Sequence, residues 1–285
     1  MDGRGDRVTY GWPVAPFDRQ HAVRGFFCDP RIGDRGSKAF HFGIDVSAPD
    51  GTPVYAVQPG TVDLEGAQNV AVIEAGGDHE HGYWHIVPAV RHGEHVAQHA
   101  LLGHIAKGWG HVHFAERSGG EYWNPLRAGA LTPFSDFGAP VVDRIVTERR
   151  GVPLAPNTLA GVVDLIAEAH DVPPISAPPP WHEMPVTPAL LRWRLVRNGR
   201  AVVPWRIVAD FRTTMPPASH FGAVYAPGTR QNHPNEPGLF RFQLADAFDT
   251  RRHPDGSYRV DVESADTRKN ASRGHLTLTL TNGLL

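Results

Sequence analysis

Cysteine is almost absent from this chain of 285 residues, and the shortage limits both its covalent and its metal chemistry. The single cysteine, Cys28, has no partner within the chain, so an intrachain disulfide is excluded. A zinc site built on cysteine thiolates is excluded for the same reason. Any bound zinc must therefore use histidine nitrogen and carboxylate oxygen as its ligands.

The sequence also lacks long apolar runs and any strong excess of charge. No segment approaches the roughly twenty apolar residues that cross a bilayer, so we expect no membrane span. The first residues lack the basic and then apolar layout of a signal peptide. The formal net charge of -2 gives no basic surface for a phosphate backbone, so nucleic acid is not expected as a partner.

Helical periodicity is missing from the first half, whereas short alternating segments bounded by turns occur throughout the chain. The 30 glycines and 26 prolines also favour turns and short strands over long helices. We therefore predict an all-β protein. Its length suits two domains, and an exposed connector predicts their extents as residues 1–136 and 137–285. A proline-dense segment at about residues 172–188 is predicted to be an inserted surface loop.

Histidine, by contrast, is abundant and unevenly placed. Nine of the 17 histidines lie between residues 79 and 113. Because imidazole is a frequent metal ligand and an acid–base group near neutral pH, this crowding favours a metal or catalytic site. One zinc takes only four ligands, so most of these histidines are expected to be ordinary solvated side chains.

Two short motifs could supply metal ligands. His41 and Asp45 flank Gly43, and because residues four apart on a straight strand lie about 13 Å from each other, the chain must bend if both bind one metal. Gly43 would permit that bend. His111 and His113 share one face of a predicted strand. Taken separately, a surface loop explains the first motif as well as a metal site does, and a single His-x-His pair occurs by chance in histidine-rich chains.

The order of these motifs resembles that of the lysostaphin-like zinc endopeptidases, a family of secreted enzymes that cut peptidoglycan peptides. The resemblance covers roughly residues 38–126. Its elements are His-x-Gly-x-Asp at His41–Asp45, Ala-Pro-Asp-Gly-Thr-Pro-Val-Tyr-Ala-Val at 48–57, Gly-Thr-Val at 60–62, aromatic-x-His at Tyr83–His85, His-x-His-Phe at His111–Phe114 and Asn-Pro-Leu at 124–126.

The resemblance implies one zinc ion bound by His41, Asp45 and His113, with His85 and His111 as the two non-ligand histidines of the active site. It implies hydrolysis of peptide bonds in peptidoglycan stems or cross-links by a zinc-activated water. We assign His111 as the general base and His85 as the group that stabilises the oxyanion. Family analogy also implies a location outside the cytoplasm, in the cell wall, the periplasm or the medium.

Two features depart from the family pattern. The Gly/Ser/Thr-rich loop that usually precedes the His-x-His motif is absent, and Leu102–Gly110 stands in its place. Because that loop helps to form the substrate groove, the substrate is expected to differ from the usual wall peptides. The change from Phe-Glu to Phe114-Ala115-Glu116 is minor.

The second half resembles bacterial immunoglobulin-like modules, mainly in the segment Pro254–Asn270 and in the strand around Gly161–Asp171. We therefore predict an N-terminal antiparallel β-sheet metallopeptidase domain followed by an immunoglobulin-like β-sandwich. Oxygen atoms of Asp171, Asp266 and Asn270 could bind calcium, but capping of turns is the commoner role of such residues, so calcium is not expected.

Two other functions compete with the peptidase. A degenerate, non-catalytic member of the same fold would bind cell-wall or protein partners, but the presence of all five expected site residues favours catalysis. A metal-buffering surface would bind several ions weakly instead of one tightly.

Overall fold

The computed structural model describes residues 9–33 and 35–284, and nearly all of its regular structure is β-strand, which confirms the predicted all-β fold. No helix in those two stretches has the length and apolar character needed to cross a membrane. The strands of the first half are β1 Val23–Gly25, β2 Pro30–Ile32, β3 Lys38–Phe40, β4 Ile44–Ser47, β5 Pro53–Tyr55, β6 Gly60–Leu64, β7 Asn69–Ile73, β8 His79–Trp84, β9 Ile86–Pro88, β10 His95–Val96, β11 Leu101–Ile105, β12 His111–Ser118 and β13 Glu121–Trp123.

The second half contains longer strands and one short α-helix. These elements are β14 Val141–Arg149, β15 Val152–Pro153, β16 Val162–His170, β17 Leu190–Arg197, β18 Arg200–Asp210, α1 Phe221–Val224, β19 Arg241–Asp249, β20 Gly256–Ala265 and β21 Ala271–Leu280. Three 3-10 turns lie at Ala218–His220, Thr250–Arg252 and Asn282–Leu284.

A large antiparallel sheet forms the centre of the first half, with strand order β1-β4-β12-β8-β7-β6-β10 and β13 added beside β12. Strand β12 lies between β4 and β8, and its side chains alternate between the two faces of the sheet. Val112 and Phe114 are fully buried in the apolar core on one face. His111 and His113 project from the other face, so the sheet itself places both imidazoles in one cavity.

The strands of the second half form two four-stranded sheets, with orders β15-β14-β16-β19 and β18-β17-β20-β21. Buried side chains from both sheets belong to one apolar cluster, including Leu165, Trp193 and Val260. This division of strands is the arrangement expected for an immunoglobulin-like sandwich. The immunoglobulin-like assignment and the boundary near residue 137 stay predictions. Phe137, at that boundary, is 91% exposed, as expected for a connector.

The proline-rich segment packs more closely than a surface loop would. The buried residues are Ala177, Met184, Val186 and Thr187, although the prolines at 178–180 are exposed. The backbone N–H of Thr187 donates to Asp29 at 2.7 Å, which ties this segment to the first half. The segment therefore lies close to the elements that build the cavity.

Candidate metal centre

His41 and Asp45 are brought together by a bend at Gly43, immediately before β4. The predicted bend is present, but its reason differs from the one we gave, because Gly43 does not have a positive φ. A Cβ atom at this position would lie 2.4 Å from the carbonyl oxygen of Phe114 and 2.9 Å from the ring of His113. Glycine is required here by close approach to β12.

The orientation of His41 is fixed by the backbone. Its Nδ1 lies 2.8 Å from the carbonyl oxygen of Phe26, so Nδ1 carries a proton and donates it. The other nitrogen, Nε2, is then unprotonated and faces Asp45 and His113. A hydrogen bond of this kind is the usual way in which a protein orients a metal-binding imidazole.

Three potential ligand atoms lie close together beside the bend at Gly43. The Oδ1 atom of Asp45 lies 3.1 Å from Nε2 of His41 and 3.2 Å from Nδ1 of His113, and those two nitrogens lie 2.8 Å apart. Ligands at zinc bond lengths stand about 3.3–3.6 Å apart at the corners of a tetrahedron. Small outward movements would therefore accommodate zinc between these atoms.

The charge state of the cluster also suits a divalent cation. Burial lowers the pKa of His41 to about 3, with the Arg31 guanidinium adding to the effect, and burial lowers that of His113 as well. Burial acts to raise the pKa of Asp45, but the neighbouring His41, His111 and Arg31 hold it well below its usual value. Two neutral imidazoles and one carboxylate are a donor set that zinc favours.

Arg31 orients the carboxylate of Asp45. Its Nη2 lies 2.8 Å from Oδ2, which leaves Oδ1 directed at the histidines. On the far side of the cluster, Nε2 of His113 is buried and has no hydrogen-bond partner among the described residues. The ring of Phe42 packs edge-on against that imidazole, with centroids 4.4 Å apart.

His111 lies beside the three candidate ligands but is not one of them. Its Nε2 is 3.4 Å from Oδ1 of Asp45, while its Nδ1 has two neighbours, the carbonyl oxygen of Trp109 at 2.8 Å and Nη2 of Arg24 at 2.7 Å. The carbonyl requires a proton on Nδ1, whereas the guanidinium requires a lone pair there. The two contacts therefore favour opposite tautomers.

His85 lies between β8 and β9, and its φ of 68° makes the turn that separates these two strands. The turn directs its ring into the cavity, where it stacks on Trp109 with centroids 3.6 Å apart. Its centroid lies 4.8 Å from that of His111. Burial, together with His111 and His113, lowers its pKa to about 3.

All five site residues predicted from the sequence line one cavity of about 380 Å³. The cavity also has residues that the motifs did not indicate, namely Arg24, Arg31, Ala39, Phe40, Phe42, Trp84, Trp109, Trp181, Gln231 and Asn232. Trp181 lies in the proline-rich segment, and a single tryptophan among exposed prolines was a signal that could have indicated a binding role. Arg24 and Arg31 lie upstream of the first motif and had no such signal.

The residues considered for calcium lie elsewhere, at the contact between the two halves. Asp171 and Asp266 are buried together with Asp136, which the sequence did not indicate. Asn270 donates from Nδ2 to Asp266 at 2.7 Å and to the carbonyl oxygen of Asp136 at 2.9 Å, so it acts as a hydrogen-bond donor in this group. The absence of calcium stays a prediction.

The sequence model of peptidase family M23 matches residues 39–125, which span the bend, β12 and the cavity between them. The chain therefore contains a peptidase family M23 domain. This is the lysostaphin-like family that the motifs resemble, and the match supports peptidase activity. No curated protein sequence shows significant similarity to the chain.

Several solved structures are similar to parts of the M23-containing chain. The catalytic domain of the antimicrobial peptidase lysostaphin from Staphylococcus simulans is 25% identical, with 32% of this chain and 75% of that chain covered and a TM-score of 0.29. The protein LytU is 25% identical over 36% of this chain and 78% of its own, with a TM-score of 0.30. A zinc-containing peptidase from Vibrio cholerae is 20% identical over 43% and 40%, with a TM-score of 0.37. Because these TM-scores are low, the assignment rests on the family match.

Proposed function

We propose that the chain is a zinc-dependent endopeptidase that hydrolyses peptide bonds in peptidoglycan stems or cross-links. The observation that carries the proposal is the convergence of His41, Asp45 and His113 in a cavity that also holds His85 and His111. The match to peptidase family M23 supports the same reaction. Action on the cell wall further implies a location outside the cytoplasm.

His41, Asp45 and His113 would hold the ion, and the remaining position would be open to the cavity. Zinc, when bound, supplies a nucleophilic water at neutral pH and polarises the scissile carbonyl. The chain's own contribution begins with orientation. The Phe26 carbonyl fixes the ring of His41, and Arg31 fixes the carboxylate of Asp45.

His111 is assigned as the general base. Its Nε2 faces the ligand cluster, and with the proton on Nδ1 donated to the Trp109 carbonyl, Nε2 can accept a proton during attack on the substrate. His85, on the adjoining wall, is assigned to donate a hydrogen bond to the developing oxyanion. The stacked ring of Trp109 holds His85 in place.

The cavity walls are suited to a peptide. Trp84, Trp109 and Trp181 present aromatic surface around the ligand cluster, and Arg24 and Gln231 supply hydrogen-bond donors. Aromatic walls with a few polar groups are typical of sites that bind organic ligands. The walls contributed by residues 181 and 231–232 support a substrate that differs from the usual wall peptides of the family.

The first test measures zinc and peptide release on the same preparations. Chelator-stripped protein is reloaded with zinc, its zinc content is determined, and release of peptides from purified peptidoglycan is assayed for wild type and His113→Ala. We expect His113→Ala to lose one zinc equivalent and all zinc-dependent release. The matched control is His104→Gln, at an exposed position on β11, which should behave as wild type.

Two results would contradict the proposal. Equal zinc content in wild type and His113→Ala would exclude the ligand cluster. One zinc equivalent lost in His113→Ala, but no peptide release by wild type, would favour a non-catalytic wall-binding protein.

A further inference from the structure

A second group of side chains that could bind a metal lies on the opposite face of the same sheet. Successive residues of a strand project to opposite faces, so His79 and His81 on β8 lie on the face away from Trp84, which lines the cavity. Glu74 follows directly after β7, the neighbouring strand, and reaches the same two histidines. This group shares no residue with the cluster of His41, Asp45 and His113, which we call the M23 site.

His81 is the unusual member of the group. Its side chain is completely buried, yet neither Nδ1 nor Nε2 has a hydrogen-bond partner among the described residues. The ring lies nearly parallel to that of Phe114, at an interplanar angle of 8°, and in edge contact with Tyr10. A buried imidazole without a hydrogen-bond partner loses the hydrogen bonds that water would give it. A bound ligand would compensate for this loss.

The distances around Glu74 fit metal coordination. Its Oε1 lies 3.2 Å from Nδ1 of His79 and 3.5 Å from Nδ1 of His81, and the three ligand atoms lie within 4.8 Å of one another. Tetrahedral ligands on zinc stand about 3.3 Å apart at the bond lengths of imidazole nitrogen and carboxylate oxygen. Two imidazoles with one carboxylate form a donor set of the same composition as that of the first site.

Glu116 contacts the nitrogen of His79 that does not face Glu74. Its Oε1 lies 3.0 Å from Nε2 of His79, so Nε2 donates there and Nδ1 is the nitrogen that faces Glu74 and His81 and would bind the ion once its proton is lost. Tyr10 and Arg127 hold the carboxylate of Glu116 with further hydrogen bonds of 2.6 Å. A carboxylate that accepts from the second nitrogen of a ligand histidine is common at zinc sites, where it fixes the ring.

Burial further keeps His81 neutral, since it lowers the pKa of this imidazole to about 3. A neutral imidazole is the form that binds a metal. The site is also accessible, because the side chains of Glu74 and His79 are each 30% exposed. An ion could therefore enter from solvent on the side of the turn between β7 and β8.

We propose that Glu74, His79 and His81 bind a second divalent transition-metal ion of the zinc type. The ion would join the end of β7 to the start of β8 and so stabilise the hairpin beneath the M23 site. It would take no part in hydrolysis, since its ligands do not reach the cavity.

The test is zinc stoichiometry in full-length protein at mildly alkaline pH, where competition from protonation of His79 is small. Four proteins are compared after chelation and reloading: wild type, His113→Ala, the double variant Glu74→Gln/His79→Gln, and the combination of all three substitutions. We expect two, one, one and no tight zinc equivalents. His104→Gln serves as the control and should retain two.

Thermal unfolding adds an independent readout. Zinc should raise the melting temperature of His113→Ala, and that rise should disappear when Glu74→Gln and His79→Gln are added. The chelated double variant should melt close to chelated wild type, which shows that the substitutions themselves preserve the fold. A His113→Ala protein without tight zinc, or one that keeps its zinc when Glu74 and His79 are replaced, would overturn the proposal. Neither result depends on whether the M23 site is active.

Discussion

The proton on His111 is the residue-scale feature on which the proposed catalysis most depends. Only the tautomer with the proton on Nδ1 leaves Nε2 able to accept one, and the Trp109 carbonyl selects that tautomer. The Arg24 guanidinium opposes it by approaching the same nitrogen. A substrate that draws Arg24 toward its own acceptors would therefore leave His111 in the form that a general base needs.

Replacement of the two non-ligand histidines should separate catalysis from metal binding. We expect His111→Ala to lower kcat/KM by roughly 10²–10⁴-fold and His85→Ala by roughly 10²–10³-fold, the usual costs of losing a general base and an oxyanion donor. Zinc content should stay at the wild-type level in both, because neither residue is assigned as a ligand. Loss of zinc from either variant would contradict these roles.

Buried carboxylates predict how stability changes with pH. Burial raises the pKa of Asp171 from 3.8 to about 8, and nearby Asp136, Asp266 and Asp29 add to the effect. At this group, the folded chain therefore binds more protons than the unfolded chain between these values. The contribution of Asp171 to the free energy of unfolding falls as the pH rises through that interval. The lowered pKa values of the buried histidines have the opposite effect, which ends near pH ~6.5.

Asp171→Asn should reduce this loss. Asparagine keeps the Oδ1 acceptor for the backbone N–H of Val172 but carries no charge. In EGTA, we expect the wild-type free energy of unfolding to fall by roughly a few kcal/mol between mildly acidic pH and pH ~8, and the variant to lose clearly less. Asp18→Asn, at an exposed position, is the control and should follow wild type.

Thermal unfolding of wild type and Asp171→Asn at the same pH values tests the prediction that calcium does not bind. Added calcium should leave the wild-type melting temperature unchanged at each pH. A calcium-dependent rise that is lost in Asp171→Asn would contradict that prediction and would indicate an ion between the three buried aspartates.

At the scale of elements, the ligand cluster depends on how closely the bend before β4 approaches β12. The Cβ of any residue other than glycine at position 43 would meet the Phe114 carbonyl at 2.4 Å, and that carbonyl belongs to a central strand of the sheet. Neither residue 43 nor the Phe114 carbonyl can move without disturbing His113 or the pairing of β4 with β12. The bend and the site therefore form one unit.

Gly43→Ala should accordingly weaken both fold and metal binding. We expect a loss of roughly 1–3 kcal/mol in the free energy of unfolding and a lower zinc affinity at the M23 site, because the strand must shift to relieve the clash. Gly222→Ala, where a Cβ would meet no atom within 4 Å, is the matched control and should be neutral or mildly stabilising. Equal behaviour of the two variants in chemical unfolding and zinc titration would show that close approach is unimportant.

The second half contains strands that sequence reasoning predicted and strands that it missed. The segments around Gly161–Asp171 and Pro254–Asn270 correspond to β16 and β20, which lie inside the two sheets of the second half. β18 and β19, at sheet edges, were not predicted. β18 even contains Pro204, which an edge strand tolerates because its N–H side need not pair.

The site shows a similar division. His41, Asp45, His85, His111 and His113 could be predicted because each belongs to a short motif whose residue types already indicate metal chemistry. The positions of Arg24 and Trp181 beside His111 could not, although Trp181 stands out among the prolines, because these contacts arise only when segments far apart in sequence pack together. Glu74 and His81 gave no signal within the histidine-rich stretch, since only the fold shows which histidine is buried without a partner.

At the scale of the whole molecule, the cavity is built by both halves of the chain. The ring of Trp181 lies 4.3 Å from the Arg24 guanidinium, and Arg24 in turn contacts His111. Gln231 accepts a hydrogen bond of 2.6 Å from the backbone of Ile32, beside Arg31. The second half therefore contributes a wall of the cavity and contacts Arg24, which touches the assigned general base.

Trp181→Ala should impair substrate binding and leave the metal in place. A desolvated cation–π contact contributes up to about 2 kcal/mol, so we expect kcat/KM on peptidoglycan fragments to fall roughly 5–30-fold, mainly through a higher KM. Trp181→Phe should restore part of the loss because a phenyl ring still covers Arg24. Trp205→Ala is the matched control, since Trp205 makes a similar contact with Arg192 but does not line the cavity. If both alanine variants lose activity equally, or if KM is unchanged in Trp181→Ala, the second half supports the fold only and does not form part of the groove.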